Sequence, residues 1–431
     1  MHALIRKSFA IVFALALSGV ANAGEWHYND VSRVVAIADI HGAYGAMVKT
    51  LSNAGLLDAR LSWVGGDAHL VIVGDLLDRG PDSRKAMDLL MQLEGEAGAA
   101  GGKVHVLIGN HEAMNLVGDL RYVSQSEYAA FADEETANER DRWFTAWVAA
   151  GRAPDDEPAA QRDIFEQRFP PGFFAHRRAF GTYGKYGEWL LSKPVIVVVN
   201  GTAFVHGGLS PSVVTLGLDG VNGQLVDEMR EYVAQIERLI EAGEILPTDS
   251  FYNHPQLLAG FMPGPETSAE TVTAVEAIIR LNDSDLHSIE GPLWYRGNVA
   301  CSRVIEEGRL ARSLAAIGAE RVVIGHTPTP GRQVFQRLGG QVVEIDTGML
   351  NNYYEGRGHA LIIDGDAISV VSENSTEVMT VARHPRRVGA RPGGAMSASE
   401  LEQLLAHGEI IADKTDELGR RVVSVGDGTR I

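Results

Sequence analysis

The composition of this 431-residue chain, 45% hydrophobic and 22% charged, is that of an ordinary globular protein with ample material for a large core. A formal charge of −18 argues against nucleic acid or anionic membrane as a partner, because so acidic a surface repels both. The single cysteine, Cys301, excludes an internal disulfide.

The chain begins with basic Arg6 and Lys7, an apolar stretch from Phe9 to Val20 and a small-x-small site at Ala21-Asn22-Ala23. This pattern predicts a signal peptide over residues 1–23 and a mature protein starting at Gly24, periplasmic or secreted. Loss of Arg6 and Lys7 would take the charge to −20. The apolar run is too short for a comfortable membrane span, and no other segment reaches about 20 continuous apolar residues, so no stable membrane association is expected after cleavage.

Three runs rich in Val and Ile follow, Val34–Ala38, His69–Val73 and Val104–Ile108, each stopping abruptly at polar, glycine-containing sequence as buried strands do. The closing blocks are Asp39-Ile40-His41-Gly42, Gly74-Asp75-Leu76-Leu77-Asp78-Arg79-Gly80 and Gly109-Asn110-His111-Glu112. In an open α/β sheet, ligands sit beyond the carboxyl ends of such strands. Asp39 and His41 would face the same side if strand geometry persisted through them, and Asp75 could bridge to a second ion. Carboxylate with imidazole suits Mn, Fe or Zn.

Residues 127–178 are rich in Ala, Glu, Arg and aromatics, with prolines at 154, 158, 170 and 171; this reads as a helical insert that could cap a site. Thr202–Val205 is a further strand, closed by His206 and two glycines. A second insert, about 221–286, has helical periods at Leu225–Ile240 and Glu270–Leu281 and reads as scaffold packed on a sheet. The strand Arg321–Ile324 leads to Gly325-His326-Thr327-Pro328. Runs at Gln341–Ile345, Ala360–Ile363 and Ile368–Val371 continue the sheet, with Asp346-Thr347-Gly348 a structural turn. Residues 24–380 are expected to form one large catalytic domain with these inserts, since candidate ligands spanning 39 to 326 must meet in one place. Residues 381–431 read as a Pro-, Gly- and Arg-rich linker followed by a small extension, with a helix near 397–407 and an edge strand near 420–425.

Taken singly, these residues are ordinary: a lone His at a strand end is more often a hydrogen-bonded structural residue, and Asp or Asn beside Gly forms turns. Six of them at successive strand ends, Asp39, His41, Asp75, Asn110, His206 and His326, provide ligands for two ions sharing Asp75. Competing chemistries fail on spacing. The second His of a zincin helix would fall at Asn115, and a Cys-x5-Arg phosphatase loop at Cys301 would need arginine where Glu307 stands. No phosphate-binding Gly-x-x-x-x-Gly-Lys-Ser/Thr loop and no Gly-x-Ser-x-Gly elbow occurs.

The three blocks resemble the calcineurin-like metallophosphoesterases and, within them, the phosphoprotein phosphatase branch. Met114 to Tyr122, His206-Gly207-Gly208-Leu209, Gly291 to Gly297 and Gly325-His326-Thr327-Pro328 look like the bacterial Shewanella-like protein phosphatases, so the resemblance covers roughly residues 30 to 370. Ala38 stands where that family usually has Gly, and Gly-His-Thr-Pro replaces the Arg-Ala-His of the eukaryotic enzymes. The resemblance implies two mixed β-sheets sandwiched between helices, an α/β class consistent with the alternating strands and helices. It implies a first metal on Asp39, His41 and Asp75 and a second on Asp75, Asn110, His206 and His326, with attack by metal-bound hydroxide on a phosphomonoester. His111 would be the general acid, Asp78 its partner, and Arg79 and Arg296 the clamps on phosphate oxygens. Arg121 and Tyr122 could border the substrate, but a structural role is the expectation. The expected substrate is a phosphorylated protein, peptide or small phosphomonoester. A nucleotide or diadenosine polyphosphate hydrolase would use the same metal core, and a non-catalytic phosphate-binding module is the reading of another class.

Overall fold

The computed structural model describes residues 26–155, 157–365, 367–380, 410–415 and 421–425. The signal peptide, the linker and the helix expected near 397–407 lie outside the described residues.

Two six-stranded sheets form, their central strands being short β-branched runs buried on both faces. In chain order the strands are β1 (His27–Tyr28), β2 (Val34–Ile37), β3 (His69–Ile72), β4 (Lys103–Val106), β5 (Ile196–Val199), β6 (Thr202–Val205), β7 (Arg321–Ile324), β8 (Phe335–Arg337), β9 (Val342–Glu344), β10 (His359–Asp364), β11 (Ala367–Ser372) and β12 (Ser375–Thr380). One sheet has the order β12-β11-β10-β2-β3-β4, with β2, β3 and β4 parallel and the others antiparallel. The other has the order β1-β5-β6-β7-β9-β8, with β6, β7 and β9 parallel. Val34, Ala36 and Val71 of the first sheet meet Val197, Phe204, Val323 and Val343 of the second in a dry layer between them. The outward set of the first sheet, Val35, Ile37, Leu70 and Ile72, shares a core cluster with Met47, Leu51, Met87 and Leu90 of the helices α1 (Tyr44–Asn53) and α2 (Ser83–Ala99). Burial on both faces is why these runs are continuously apolar rather than alternating.

The expected strands are present, and β1, β5, β8 and β12 of these two sheets are additional to them. β5 pairs antiparallel with β6 through a two-residue turn, Asn200 and Gly201, at φ 47° and 70°. Two successive positive φ values are what a hairpin turn matched to strand twist requires, and Asn-Gly supplies them at little cost.

Between α3 (Asn110–Val117) and β5 lie α4 (Gln125–Ala129), α5 (Ala137–Ala149), α6 (Pro158–Arg168), α7 (Phe173–Ala179) and α8 (Lys185–Leu190). Ser124 and Thr136 cap α4 and α5 by accepting the Glu127 and Glu139 backbone N–H, and Pro158 occupies the first position of α6. The predicted helical insert is therefore helical, with a small core of its own in Tyr128, Trp147, Phe165, Phe169, Phe173 and Phe174. The second insert is helical as well. The long α9 (Ser212–Ala242) packs on α3, on α11 (Ala269–Leu281) and on α13 (Arg303–Ala316), with α10 (His254–Leu258) and α12 (Gly297–Ala300) beside them. A short α14 (Asn351–Tyr354) precedes β10, and a separate hairpin pairs β13 (Ile410–Thr415) with β14 (Arg421–Val425).

His176 on α7 is fully buried among Tyr128, Phe131 and Phe180, and neither ring nitrogen has a hydrogen-bond partner. Burial, with Arg177 adding to it, pushes its pKa down to about 3. Below about pH 6.5 the unfolded chain takes up a proton that the native state refuses, so this residue makes stability fall as pH drops from about 6.5 toward 3. His176→Phe is expected to stabilise the protein by about 2 kcal/mol more at pH 5 than at pH 8. Urea denaturation at the two pH values measures this, and an equal effect at both would contradict it.

Candidate metal centre

The ligand-bearing loops begin where the strands stop. β2 ends at Ile37, but its parallel pairing with the neighbouring segment continues through Asp39 N–H to the Gly74 carbonyl, His41 N–H to Asp75 and Gly42 N–H to Leu76. Asp39 and His41 have left the strand conformation, at φ 51° and 46°. The expectation that strand geometry would carry both to one side is therefore corrected: the left-handed turn brings both inward instead. Asp75, Asp78, Arg79 and His326 also have positive φ, at 56°, 71°, 68° and 66°. Such backbone costs ~1–2 kcal/mol per residue and persists only where surroundings enforce it.

Glu112 is the main enforcer. Its Oε2 accepts from the N–H groups of Asp75 and Gly109 at 2.8 Å, and its Oε1 accepts from Leu76 at 2.8 Å and Leu77 at 3.3 Å. One buried carboxylate thus fixes the loops after β3 and β4. The bond to Gly109 is also the reach-back by which a Glu at the third helical position closes a helix start. Gly109 admits no side chain, because a Cβ there would lie 2.4 Å from Asp75 Oδ1.

Acceptor atoms then converge. The His206 Nδ1–H donates to the Val73 carbonyl at 2.9 Å, which leaves Nε2 as a lone pair. That lone pair faces Asn110 Oδ1 at 2.9 Å, Asp75 Oδ2 at 3.2 Å and His326 Nδ1 at 3.2 Å. On the other side of Asp75, the His41 Nδ1–H donates to the Leu77 carbonyl at 2.9 Å. Its Nε2 lone pair lies 3.7 Å from Asp75 Oδ2 and 4.0 Å from Asp39 Oδ1. Buried lone pairs pointing at one another repel unless a cation stands among them, so oxygen and imidazole donors sharing Asp75 fit a pair of divalent transition ions. All six sequence-predicted ligands meet here. Asp39 also joins the sheets, its two oxygens accepting the His326 N–H at 3.0 Å.

The electrostatics agree. Burial and the nearby Asp346 and Asp75 raise Asp39 well above the usual carboxylate range. Burial alone would lower His206, yet Asp75 and Asp39 raise it to about 10. The cluster therefore attracts positive charge, whether a metal ion or, on bare side chains, a proton.

His111 stands over the shared carboxylate with Nε2 3.9 Å from Asp75 Oδ2, while its Nδ1–H donates to Asp78 Oδ2 at 2.5 Å. Asp78 Oδ1 accepts from Asn115 Nδ2 at 2.9 Å. Burial opposes charge on His111, but Asp75 and Asp78 outweigh it and raise its pKa. Arg79 donates through Nη1 to His41 Nε2 at 2.6 Å and to the Tyr354 hydroxyl, and its guanidinium lies against the rings of Tyr122, Tyr353 and Tyr354. Arg296 lies on the other flank, donating to Thr327 Oγ1 at 2.6 Å and to the His326 carbonyl at 3.2 Å.

Two aromatic residues stand at the site, of which Tyr354 was not read from the sequence. Tyr122, expected to be structural, has its ring 5.2 Å from that of His111. Tyr354 stacks 5.6 Å from His41, and nothing in its local sequence marks it. Arg121 is forked onto Asp119 at 2.8 and 2.9 Å. Asp346 makes the expected turn, accepting the Gly348 N–H at 3.0 Å, but it is also buried beside Asp39.

Residues 32–330 match the family described as calcineurin-like phosphoesterase. The chain is 33% identical over 202 residues to Shewanella-like protein phosphatase 2 of Arabidopsis thaliana, a match covering 45% of this chain and 50% of that relative. It is 25% identical over 341 residues to Shewanella-like protein phosphatase 1 of Plasmodium berghei, covering 79% of this chain and 74% of the relative. Among solved structures, the cold-active protein-tyrosine phosphatase of a psychrophilic Shewanella species shares the fold, with a TM-score of 0.54 at 23% identity over 83% of this chain and 82% of that one.

Glu112→Gln turns an amide NH2 toward backbone N–H groups. It is expected to cost about 3 kcal/mol of stability and to weaken divalent-ion binding at least about tenfold. Chemical denaturation and titration calorimetry with Mn would check both, and wild-type values for both would contradict the role given to Glu112.

Proposed function

The chain belongs to the calcineurin-like phosphoesterase family and is a metal-dependent phosphatase, and from that premise we propose that it hydrolyses phosphomonoesters carried by proteins or peptides, with His111 as general acid. The observation that carries this reading is the placement of His111 over the shared Asp75, held by Asp78 and flanked by two arginines.

When bound, a pair of divalent ions (Mn, Fe or Zn suit the donors) supplies positive charge opposite the phosphate oxygens and a water of lowered pKa as nucleophile. Asp39, His41 and Asp75 would hold one, and Asp75, Asn110, His206 and His326 the other. The remaining work falls to the protein. Arg79 and Arg296 offer planar, permanently charged forks to the non-bridging oxygens from opposite flanks. The Tyr354 hydroxyl, beside Arg79, adds a neutral donor. His111 gives its Nε2 proton to the leaving oxygen. Asp78 accepts from the other nitrogen and so keeps the ring charged and correctly turned.

Protein substrates are supported by the two relatives named as protein phosphatases. An extracytoplasmic place of work is supported by the sequence signature at residues 1–23. Among the described residues, no helix is long and apolar enough to cross a membrane.

The test is phosphate release from phosphotyrosine, phosphoserine and phosphothreonine peptides and from diadenosine tetraphosphate, with Mn and with chelator, beside His111→Asn. Metal-dependent turnover of phosphopeptides, falling about 10²- to 10⁴-fold in the variant, is the expected result. Turnover of the dinucleotide alone would replace this reading with the nucleotide one, and no turnover at all would favour a binding module.

A further inference from the structure

The loop carrying Asp78 and Arg79 does not hold itself in shape. Both residues sit at positive φ, and three hydrogen bonds tie the loop to the chain segment entering the helical insert. The Arg79 N–H donates to the Tyr122 carbonyl at 2.8 Å, Ser124 Oγ donates to the Gly80 carbonyl at 2.9 Å, and Ser83 Oγ donates to Glu127 Oε2 at 2.9 Å. Glu127 is the unusual member. It is 1% exposed, and among the described residues its Oε1 is buried with no hydrogen-bond partner; the Asp78 backbone favours its charged form, while the ionisable groups acting on it are the carboxylates of Asp78 and, more weakly, Glu112. A half-satisfied carboxyl beside another carboxylate is expensive as a mere filler of space.

We propose that Glu127 is a positioning residue for the phosphatase reaction, acting through Ser83 and Asp78 to keep the Asp78–His111 pair aligned with the leaving oxygen. This rests on the reading of His111 as general acid. Burial, with Asp78 next, pushes the Glu127 carboxyl well above the usual range, which favours its neutral form. In that form it backs the Asp78 loop, to which His111 is hydrogen bonded, without adding a second negative charge behind the pair. Glu127 opens the insert on α4, so the insert's first turn is connected directly to the chemistry while its aromatic core lies elsewhere.

Alignment of the acid matters in proportion to how badly the leaving group needs a proton. Phenyl phosphate releases a basic phenoxide and needs one; 2,4-dinitrophenyl phosphate releases a weakly basic phenoxide and does not. With the metal-loaded full chain, Glu127→Gln, isosteric and neutral, is expected to stay within about twofold of wild type on both substrates. Glu127→Ala is expected to lose about tenfold or more in kcat on phenyl phosphate and less than about threefold on the dinitrophenyl ester, with KM little changed. His111→Asn, run alongside, should show the same split enlarged. Ser83→Ala removes the donor to Glu127 while sparing the carboxyl, and should show a smaller split; it carries the test if Glu127→Ala does not fold. Equal losses on both substrates, no loss, or a Gln variant as impaired as Ala would overturn the inference while the general-acid reading stands. A His111→Asn variant with no split would overturn both.

Discussion

Four backbone N–H groups converge on the Glu112 carboxylate, and everything at the site depends on that convergence. Main-chain donors at the carboxyl ends of two parallel strands would otherwise be orphaned in a dry interior, which is costly. Satisfying them with one side chain fixes the loops after β3 and β4 against each other, and so fixes the separation of Asp75, Asn110 and His111. The arrangement has an electrostatic cost, since burial and Asp75 push Glu112 up to about 7 against the pull of those donors. A carboxylate kept in such a place is part of the scaffold of the chemistry.

From that anchor the site assembles across two sheets. The first sheet supplies Asp39, His41, Asp75, Asn110 and His111; the second supplies His206 and His326 from beyond β6 and β7. The bond from the His326 N–H to Asp39 ties the sheet ends together, and the carbonyls of Val73 and Leu77 choose the tautomers of His206 and His41. Rigid, buried lone pairs facing one another favour a cation over water. The cost of six ligand-loop residues at positive φ is offset by the packing of strands buried on both faces.

The metal core was legible in the sequence because its residues sit at strand ends, where β-branched runs stop abruptly and the spacing repeats. The same logic located the helices of both inserts. β5 carries no functional residue, and its one local signal is Asn200-Gly201 between two β-branched runs, a strong hairpin sequence. The strand assumption for Asp39 and His41 was wrong because a ligand loop departs from strand geometry just where it becomes useful. The sequence alone does not fix the positions of Tyr122, Tyr354 and Glu127 at the site. Each lies in or next to a short connection with no periodicity, and its place beside His111, His41 or Asp78 exists only once distant segments pack.

The most direct test of this account is anomalous diffraction from crystals grown with Mn. Two peaks on opposite sides of Asp75 are expected, one within coordination distance of His206 Nε2, His326 Nδ1 and Asn110 Oδ1, the other of His41 Nε2 and Asp39. A single peak, or ions that avoid Asp75 or the His206 Nε2 atom, would contradict the claim that the fixed lone pairs define a two-ion centre.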